Sequence, residues 1–227
     1  MREREQAALL ASGLFQNIPP QEVPELLRCL GASEVRLQKN EMLWRMGDPV
    51  RACVLILSGS LRAEGVSAAG AHTLVARHGP GSLVGDVLMA TPGATSPVYV
   101  LAETASAVLL LPYRGILDGC PRCCPRHGQL RENLLAEMAG KFWEQRRRLR
   151  YLATRQLRGR IALYLLDRNP TQGQPFRLGL TREALADLLG VNRSALSREL
   201  GRMQSEGILE IHRDRVCVLD MAALHRY

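Results

Sequence analysis

A chain of 227 residues is long enough for one or two domains with a sizeable core. It contains no apolar run of the ~20 residues that a membrane-spanning helix needs and no signal-peptide pattern at its start, which favours a cytoplasmic protein without a membrane partner. The net charge of +8 is uneven, because residues 1–140 hold 13 Lys and Arg against 13 Asp and Glu, whereas residues 141–227 hold 17 against 9.

The first half of the chain changes its apolar period after residue 30. Residues 6–30 have helical spacing, whereas residues 32–112 contain short apolar or alternating runs separated by glycine-containing turns. Many short strands punctuated by turns are typical of a small antiparallel roll or barrel. The predicted strands are centred on residues 35–37, 42–44, 53–57, 61–63, 72–75, 98–102 and 107–111.

A long helix is predicted from about Gln129 to Tyr151, after a short helix that follows Pro112. A narrow stripe at spacings of three and four is typical of a coiled coil with a second copy of the chain. Packing against the chain's own roll is the alternative, and Gly140 would permit close approach in either case. The stripe comprises Leu130, Leu134, Met138, Phe142, Gln145 and Leu149.

The stretch from Leu180 to Gly207 predicts two short helices joined by a turn at Gly190. Thr181 and Asn192 are placed to cap the first and the second helix. Apolar residues then form one inward face on each helix. These residues are Ala184, Leu185, Leu188 and Leu189 on the first helix and Ala195, Leu196 and Leu200 on the second.

The outward face of the second helix carries arginines and serines, which can donate to guanine or to phosphate. An ordinary hairpin with a solvated arginine face is the alternative, but a neutral part joined to a basic part is typical of a DNA-binding domain attached to another domain. In a helix-turn-helix the start of the second helix lies nearest the bases. We therefore expect Arg193, Ser194, Ser197 and Arg198 to read bases and Arg202 to contact the DNA backbone.

Residues 208–211 and 216–219 predict a hairpin, or wing, that packs beside the second helix. Its turn would hold Arg213 and Arg215 within reach of phosphate. A helix-turn-helix that reads a two-fold site needs two copies roughly 34 Å apart, which favours a homodimer on double-stranded DNA. The expected DNA-binding set is Arg193, Ser194, Ser197, Arg198, Arg202, Thr181 and Arg213.

With these pieces in order, the chain resembles the cyclic-AMP receptor protein / fumarate-nitrate regulator (Crp/Fnr) family of bacterial transcription regulators from Leu14 to Leu219. The marks are Leu14-Phe15, Lys39-Asn40-Glu41, Gly47-Asp48, residues 54–61, residues 79–86 and the winged helix-turn-helix. Many members have glutamate at the position of Ser194.

The resemblance implies an α+β fold: an N-terminal antiparallel β-roll that is cyclic-nucleotide-binding-like (a cupin-like jelly roll), a long dimerisation helix and a C-terminal winged helix-turn-helix. The expected domains are residues 1–125, 126–152 and 153–227, in that order. The resemblance also implies a transcription factor that is a homodimer, is controlled by an unknown small-molecule effector and, as an activator, touches RNA polymerase.

Cyclic-nucleotide-binding members hold the ligand with a glycine-flanked turn, a glutamate and an Arg-Ser pair. The resemblance places the turn on Gly85, Asp86, Val87 and Leu88, with aspartate for glutamate, and the pair on Ser96 and Pro97. A buried phosphate needs a cation or several donors, and Ser96 and Pro97 offer one hydroxyl and no backbone N–H at the proline. Cyclic AMP is therefore not the expected effector.

Three of the six cysteines lie just before the long helix, as Cys120, Cys123 and Cys124, and His127 follows them. Thiolates and an imidazole this close in sequence can hold zinc or an iron–sulfur cluster, or respond to oxidation. The alternative is buried packing at a domain hinge. Oxygen-sensing members carry cluster ligands mainly in an N-terminal extension, and residues 1–28 contain no cysteine.

We do not expect an enzyme, because the sequence offers no nucleophile–base pair, phosphate-cradling glycine loop or paired carboxylates. A nucleic-acid-processing enzyme stays open as the alternative class, because winged helices occur there too. A third class is a DNA-binding protein whose roll is only a scaffold.

Cys53 and Cys217 lie within apolar strand runs and are expected in the core.

Overall fold

The structure is a computed structural model that describes residues 2–67, 70–118 and 125–227. The chain divides into two compact units, Met1–Gly140 and Lys141–Tyr227. The helices are α1 (Glu3–Ala11), α2 (Val23–Leu30), α3 (Asp86–Ala90), α4 (Tyr113–Leu117), α5 (Pro125–Ala153), α6 (Leu157–Leu166), α7 (Arg182–Leu188), α8 (Arg193–Ser205) and α9 (Met221–His225). Short 3₁₀ turns occur at Gly13–Phe15 and Pro20–Glu22.

The strands belong to three antiparallel sheets. Strands β1 (Ser33–Leu37), β2 (Met42–Trp44), β3 (Ala52–Ser58), β4 (Leu61–Val66), β5 (His72–His78), β6 (Leu83–Val84), β7 (Tyr99–Ala102) and β8 (Ser106–Pro112) lie in the first unit, and β9 (Pro175–Arg177), β10 (Leu209–His212) and β11 (Arg215–Val218) lie in the second. Each of the seven predicted strand regions is a strand, and β6 adds one that the sequence did not predict.

The first unit is a roll of two four-stranded sheets, with strand orders β1-β8-β3-β6 and β2-β7-β4-β5. Alternate residues of β3 face opposite sides, because successive side chains of a strand point to opposite faces. Cys53 and Leu55 pack in the cluster that holds α1, α2 and the start of α5, whereas Val54 and Ile56 pack in the cluster between the two sheets. The predicted antiparallel roll is confirmed.

The N-terminal helix α1 is fixed to strand β1 by a buried carboxylate. Glu5 is 1% exposed, and the Arg36 guanidinium donates to both of its oxygens at 3.1 and 3.3 Å. The backbone N–H of Arg2 also donates to Glu5, at 2.7 Å. This bond from Arg2 and then Arg36 hold the pKa of Glu5 below its ordinary value, although burial acts in the opposite direction.

Helix α5 is one 29-residue helix whose first half packs on the roll. Leu130 and Leu134 are 0% and 6% exposed in the core of the first unit. The Asn133 side-chain amide donates to the backbone carbonyls of Leu14 and Gln16 at 2.9 and 2.6 Å. The alternative of packing against the roll therefore holds for the first half of the predicted stripe.

The second half of α5 exposes its apolar residues. Phe142 and Leu149 are 61% and 67% exposed. The predicted role of Gly140 is not borne out within the chain, because a Cβ built at this position has no described atom within 4 Å.

The second unit holds α6 to α9 on one face of a three-stranded sheet with strand order β10-β11-β9. The last turn of α5 belongs to this unit, because Tyr151 is 4% exposed in its core and donates to Asp167 at 2.6 Å. Burial and this hydrogen bond raise the pKa of Tyr151 to about 12. Among the described residues, no helix has both the length and the apolar character that crossing a membrane requires.

Candidate nucleic-acid interface

Helix α7 begins and ends as its sequence predicts. The Thr181 hydroxyl oxygen accepts from the backbone N–H of Ala184 at 3.1 Å, which caps the helix. Gly190 follows the helix with φ of +66°, a left-handed conformation that glycine adopts without strain. The chain then turns into α8 within a few residues, which is the geometry of a helix-turn-helix.

Helix α8 is capped by Asn192, whose Oδ1 accepts from the backbone N–H of Ala195 at 2.7 Å. Leu196, Leu200 and Met203 are at most 3% exposed and pack in the core of the unit. Because these three side chains set the rotation of the helix about its axis, the opposite side faces solvent. The side chains on that side are Arg193, Ser194, Ser197, Arg198 and Arg202, and all five are exposed.

The arginines on this outward face differ in their partners. Within the described residues, Arg193 and Arg198 have neither an ion pair nor a hydrogen bond from the guanidinium, whereas the Arg202 guanidinium lies 3.4 Å from Glu199. The Glu199 carboxylate is already engaged, because Arg158 donates to it at 2.5 Å. Two guanidinium groups at the start of α8 are therefore available to an anion.

Arg158 shows the opposite use of an arginine in the same unit. Besides Glu199, it donates to both carboxylate oxygens of Glu206, at 2.6 and 2.8 Å, and to the Tyr227 hydroxyl at 3.1 Å. These hydrogen bonds, that to Glu206 first, raise the pKa of Arg158 above its ordinary value. Arg158 thus links α6 to α8 through Glu199 and to the residue that follows α8, Glu206.

Arg182 is a candidate that sequence reasoning missed. It is the first residue of α7, and its Nη1 is buried without a hydrogen-bond partner among the described residues. Burial lowers the pKa of this guanidinium. A cation at a helix N-terminus is unfavourable unless an anion lies nearby. The position of Arg182 directly after the Thr181 cap is the sequence signal that could have identified this candidate.

The wing is formed by β10 and β11, with Arg213 at its turn. Arg213 has φ of +54°, which places a non-glycine residue in the left-handed region, and its side chain is exposed. Asp214 accepts from the backbone N–H of Leu178 at 2.9 Å through its own carbonyl, and its carboxylate lies 3.5 Å from Arg177. The hairpin is therefore attached to β9, with Arg213 and Arg215 on its outer end.

Comparisons with known proteins agree with both units. Residues 159–227 match the model of the Crp-like helix-turn-helix domain, and residues 34–122 match that of the cyclic nucleotide-binding domain. The anaerobic regulatory protein of Pasteurella multocida is 28% identical over 195 residues, covering 83% of this chain and 69% of the relative. The transcriptional activator protein Anr of Pseudomonas aeruginosa is 28% identical over 194 residues, covering 83% of this chain and 77% of the relative.

A solved structure has the same architecture. The crystal structure of the Thermus thermophilus catabolite activator protein is 25% identical, covers 95% of this chain and 97% of that chain, and has a TM-score of 0.54. The chain belongs to the Crp/Fnr family of transcription regulators. This Crp/Fnr protein is a DNA-binding regulator with a roll of the cyclic-nucleotide-binding type.

The predicted effector residues of this Crp/Fnr regulator are largely part of its own packing. Gly85 has φ of +78°, and a Cβ built there would lie 2.5 Å from the Trp44 ring. Asp86 is 4% exposed at the start of α3, whereas Val87 is 50% exposed. Leu88 packs against the core of the first unit.

Ser96, the remaining predicted effector residue, is 2% exposed. Its hydroxyl donates to the Val98 carbonyl at 2.7 Å, and its backbone N–H donates to the Asp48 carbonyl at 2.8 Å. Both donors of Ser96 are therefore used within the roll.

The cysteine segment is only partly described in this regulator. Cys120, Cys123 and Cys124 lie outside the described residues. His127 is 2% exposed, and neither ring nitrogen has a hydrogen-bond partner among the described residues. Burial, and then Arg131, lower the pKa of His127, which favours the neutral imidazole. Cys53 and Cys217 are buried in β3 and β11, which confirms the core prediction for both.

Proposed function

We propose that the chain is a cytoplasmic homodimer that binds a two-fold operator by placing α8 of each copy in a major groove. The observation that carries the proposal is the outward face of α8, where Arg193 and Arg198 are exposed and unpaired within the described residues. A guanidinium without an acidic neighbour can donate in a fork to guanine O6 and N7. Arg193, Ser194, Ser197 and Arg198 then read bases.

Phosphate contacts fall to side chains around this helix. Arg182 and Arg202 supply cations at the start of α7 and farther along α8, and Arg213 supplies one at the wing. Thr181 accepts from Ala184 as a cap, so its hydroxyl hydrogen is left to donate to a phosphate oxygen. These contacts hold the protein on the duplex without reading its sequence.

The dimer is supported by an exposed apolar seam on α5, which shares Phe142 and Leu149 with the predicted stripe and adds Leu135 and Leu152. Leu135, Phe142 and Leu149 recur every seven residues and are 66%, 61% and 67% exposed, and Leu152, three residues farther, is 39% exposed. A seven-residue apolar repeat is the signature of a two-stranded coiled coil. We expect this seam to pack against the same seam of a second copy of the chain, because a two-fold interface pairs one surface with itself.

The seam is tested by Phe142→Glu, with Trp143→Glu as the matched control. Trp143 is 55% exposed but is not a seam residue, so the two substitutions place the same charge on neighbouring aromatic positions. We expect Phe142→Glu to give monomers in sedimentation velocity and Trp143→Glu to leave dimers. Dimers in both variants would contradict the assigned seam.

The proposed signal is not cyclic AMP, because the roll uses both donors of Ser96 for its own carbonyls. In this proposal the protein is a regulator and not an enzyme, and as an activator it also contacts RNA polymerase. A scaffold role for the roll predicts that no small molecule raises its melting temperature, whereas a sensor is stabilised by its effector.

The second candidate signal is a metal ion, an iron–sulfur cluster or oxidation at Cys120, Cys123, Cys124 and His127. It is favoured by the two ring nitrogens of His127, which are buried without partners among the described residues. A neutral imidazole is the form that binds a metal ion. Protein purified without oxygen should then show bound metal or an absorbance band, and a colourless, metal-free protein that binds its operator equally well oxidised and reduced would remove this candidate.

A further inference from the structure

The two serines on the outward face of α8 differ in how their hydroxyl groups are held. Ser194 Oγ lies 2.7 Å from Asn192 Oδ1, the same oxygen that accepts from the Ala195 backbone N–H. This backbone bond identifies the atom as the amide oxygen, because an amide nitrogen cannot accept. The amide oxygen carries no hydrogen, so the Ser194 hydroxyl is the donor.

A hydroxyl has one hydrogen and two lone pairs, so Ser194 keeps only acceptor capacity. Its side chain is exposed in the first turn of α8. Ser197, one turn farther, makes no hydrogen bond through its hydroxyl within the described residues and keeps both roles. The two serines therefore present different hydrogen-bond polarity to a ligand on the same face.

We propose that Ser194 reads its base as an acceptor only, with Asn192 as the positioning residue that fixes this polarity, so that Ser194 selects cytosine or adenine. In the major groove cytosine N4 and adenine N6 offer amino hydrogens, whereas guanine and thymine present acceptor atoms to which a lone pair cannot bond. The inference rests on the proposed function, since it requires α8 to lie in the major groove. Ser197 can bond either kind of base edge.

The test is selection of bound duplexes from a randomised pool by the full-length chain and its variants. The wild-type protein should enrich cytosine or adenine at one position in each half-site. Ser194→Ala should lose the preference at that position alone, by about three- to tenfold, which is the discrimination that one net hydrogen bond supplies. Ser197→Ala, the matched control, should leave this position unchanged.

Asn192 variants test the positioning role. Asn192→Gly keeps an accepted N-cap residue but frees the Ser194 hydroxyl to rotate, so guanine and thymine should enter at the Ser194 position. Asn192→Asp keeps an oxygen acceptor at the same place and should retain the preference, although its charge weakens binding to all duplexes. Melting curves of each variant establish that the protein is folded.

Two results would overturn the inference while leaving the proposed function in place. A Ser194→Ala protein that binds every duplex more weakly with an unchanged consensus would place Ser194 on a phosphate. An Asn192→Gly protein with the wild-type consensus would show that Asn192 does not set the polarity. A folded wild-type protein that enriches no duplex would instead overturn the proposed function, and the inference with it.

Discussion

Two regions of this regulator carry polar side chains that its sequence assigns to ligands, and these side chains do different things in the folded chain. In the roll, Ser96 is 2% exposed and its hydroxyl bonds a carbonyl of its own domain. On α8, Arg193 and Arg198 are exposed, without partners within the described residues. A buried polar group that is satisfied internally serves the fold, whereas exposed unpaired cations are left for a partner. The comparison predicts that the two regions respond differently to substitution.

The largest effect is expected for Arg198→Ala. Loss of a forked contact to a base should cost about 1–3 kcal/mol of specific binding, or roughly 5- to 150-fold in affinity. A gel-shift titration on the selected operator measures it. Arg226→Ala removes the same charge from an exposed position beyond α9 and should change affinity less than about twofold. Equal affinities for the Arg198 variant and the wild-type protein would refute the contact.

In the roll, the corresponding substitutions should change stability and leave DNA affinity unaltered. Gly85→Ala places a Cβ 2.5 Å from the Trp44 ring at a left-handed φ, and we expect a loss of about 2 kcal/mol in the free energy of unfolding. Ser96→Ala leaves the Val98 carbonyl without its donor and should cost about 1 kcal/mol. Denaturant melts test both, and a Ser96→Ala protein of wild-type stability would contradict this role.

A smaller, pH-dependent effect is expected for Glu5→Gln. The folded pKa of Glu5 is lowered, so its ionised form stabilises the roll above the ordinary pKa of 4.5, and this contribution is lost as the pH falls through the folded value. We expect the variant to be less stable by about 1 kcal/mol at pH 7, and we expect this difference to shrink as the pH falls below 4.5. Melting temperatures between pH 3 and pH 7 test this, and a constant difference would contradict it.

The smallest effect is expected for cyclic nucleotides. Calorimetric titration with cyclic AMP and with cyclic GMP should give no saturable heat, because the donors of Ser96 are already used. Saturable binding of either nucleotide would show that the roll supplies phosphate donors elsewhere, and it would remove the contrast between the two regions.

Local sequence signals predicted the helix-turn-helix well. Thr181 and Asn192 cap their helices through their own side chains, and Gly190 follows α7 with a positive φ, as their residue types require. The strands of the roll were equally accessible, because alternation and glycine turns are local features. The short β6 was missed, since two residues carry no period.

The sequence did not predict which residues contact each other when they lie far apart along the chain. The stripe on α5 was predicted as one surface, but Leu130 and Leu134 pack on the roll whereas Phe142 and Leu149 are exposed. Spacing identifies an apolar face without naming what covers it. The arginines behave likewise, because Arg158 donates to two carboxylates whereas Arg198 has no carboxylate partner within the part of the chain that the structure describes, and only the fold distinguishes them.

The central claim is that two copies of α8 contact one duplex a helical turn apart. Hydroxyl-radical footprinting of the full-length protein on its selected operator tests this most directly. We expect two protected patches, related by a two-fold axis and separated by roughly 34 Å, with two chains bound per duplex. A single protected patch with one chain per duplex would contradict the claim.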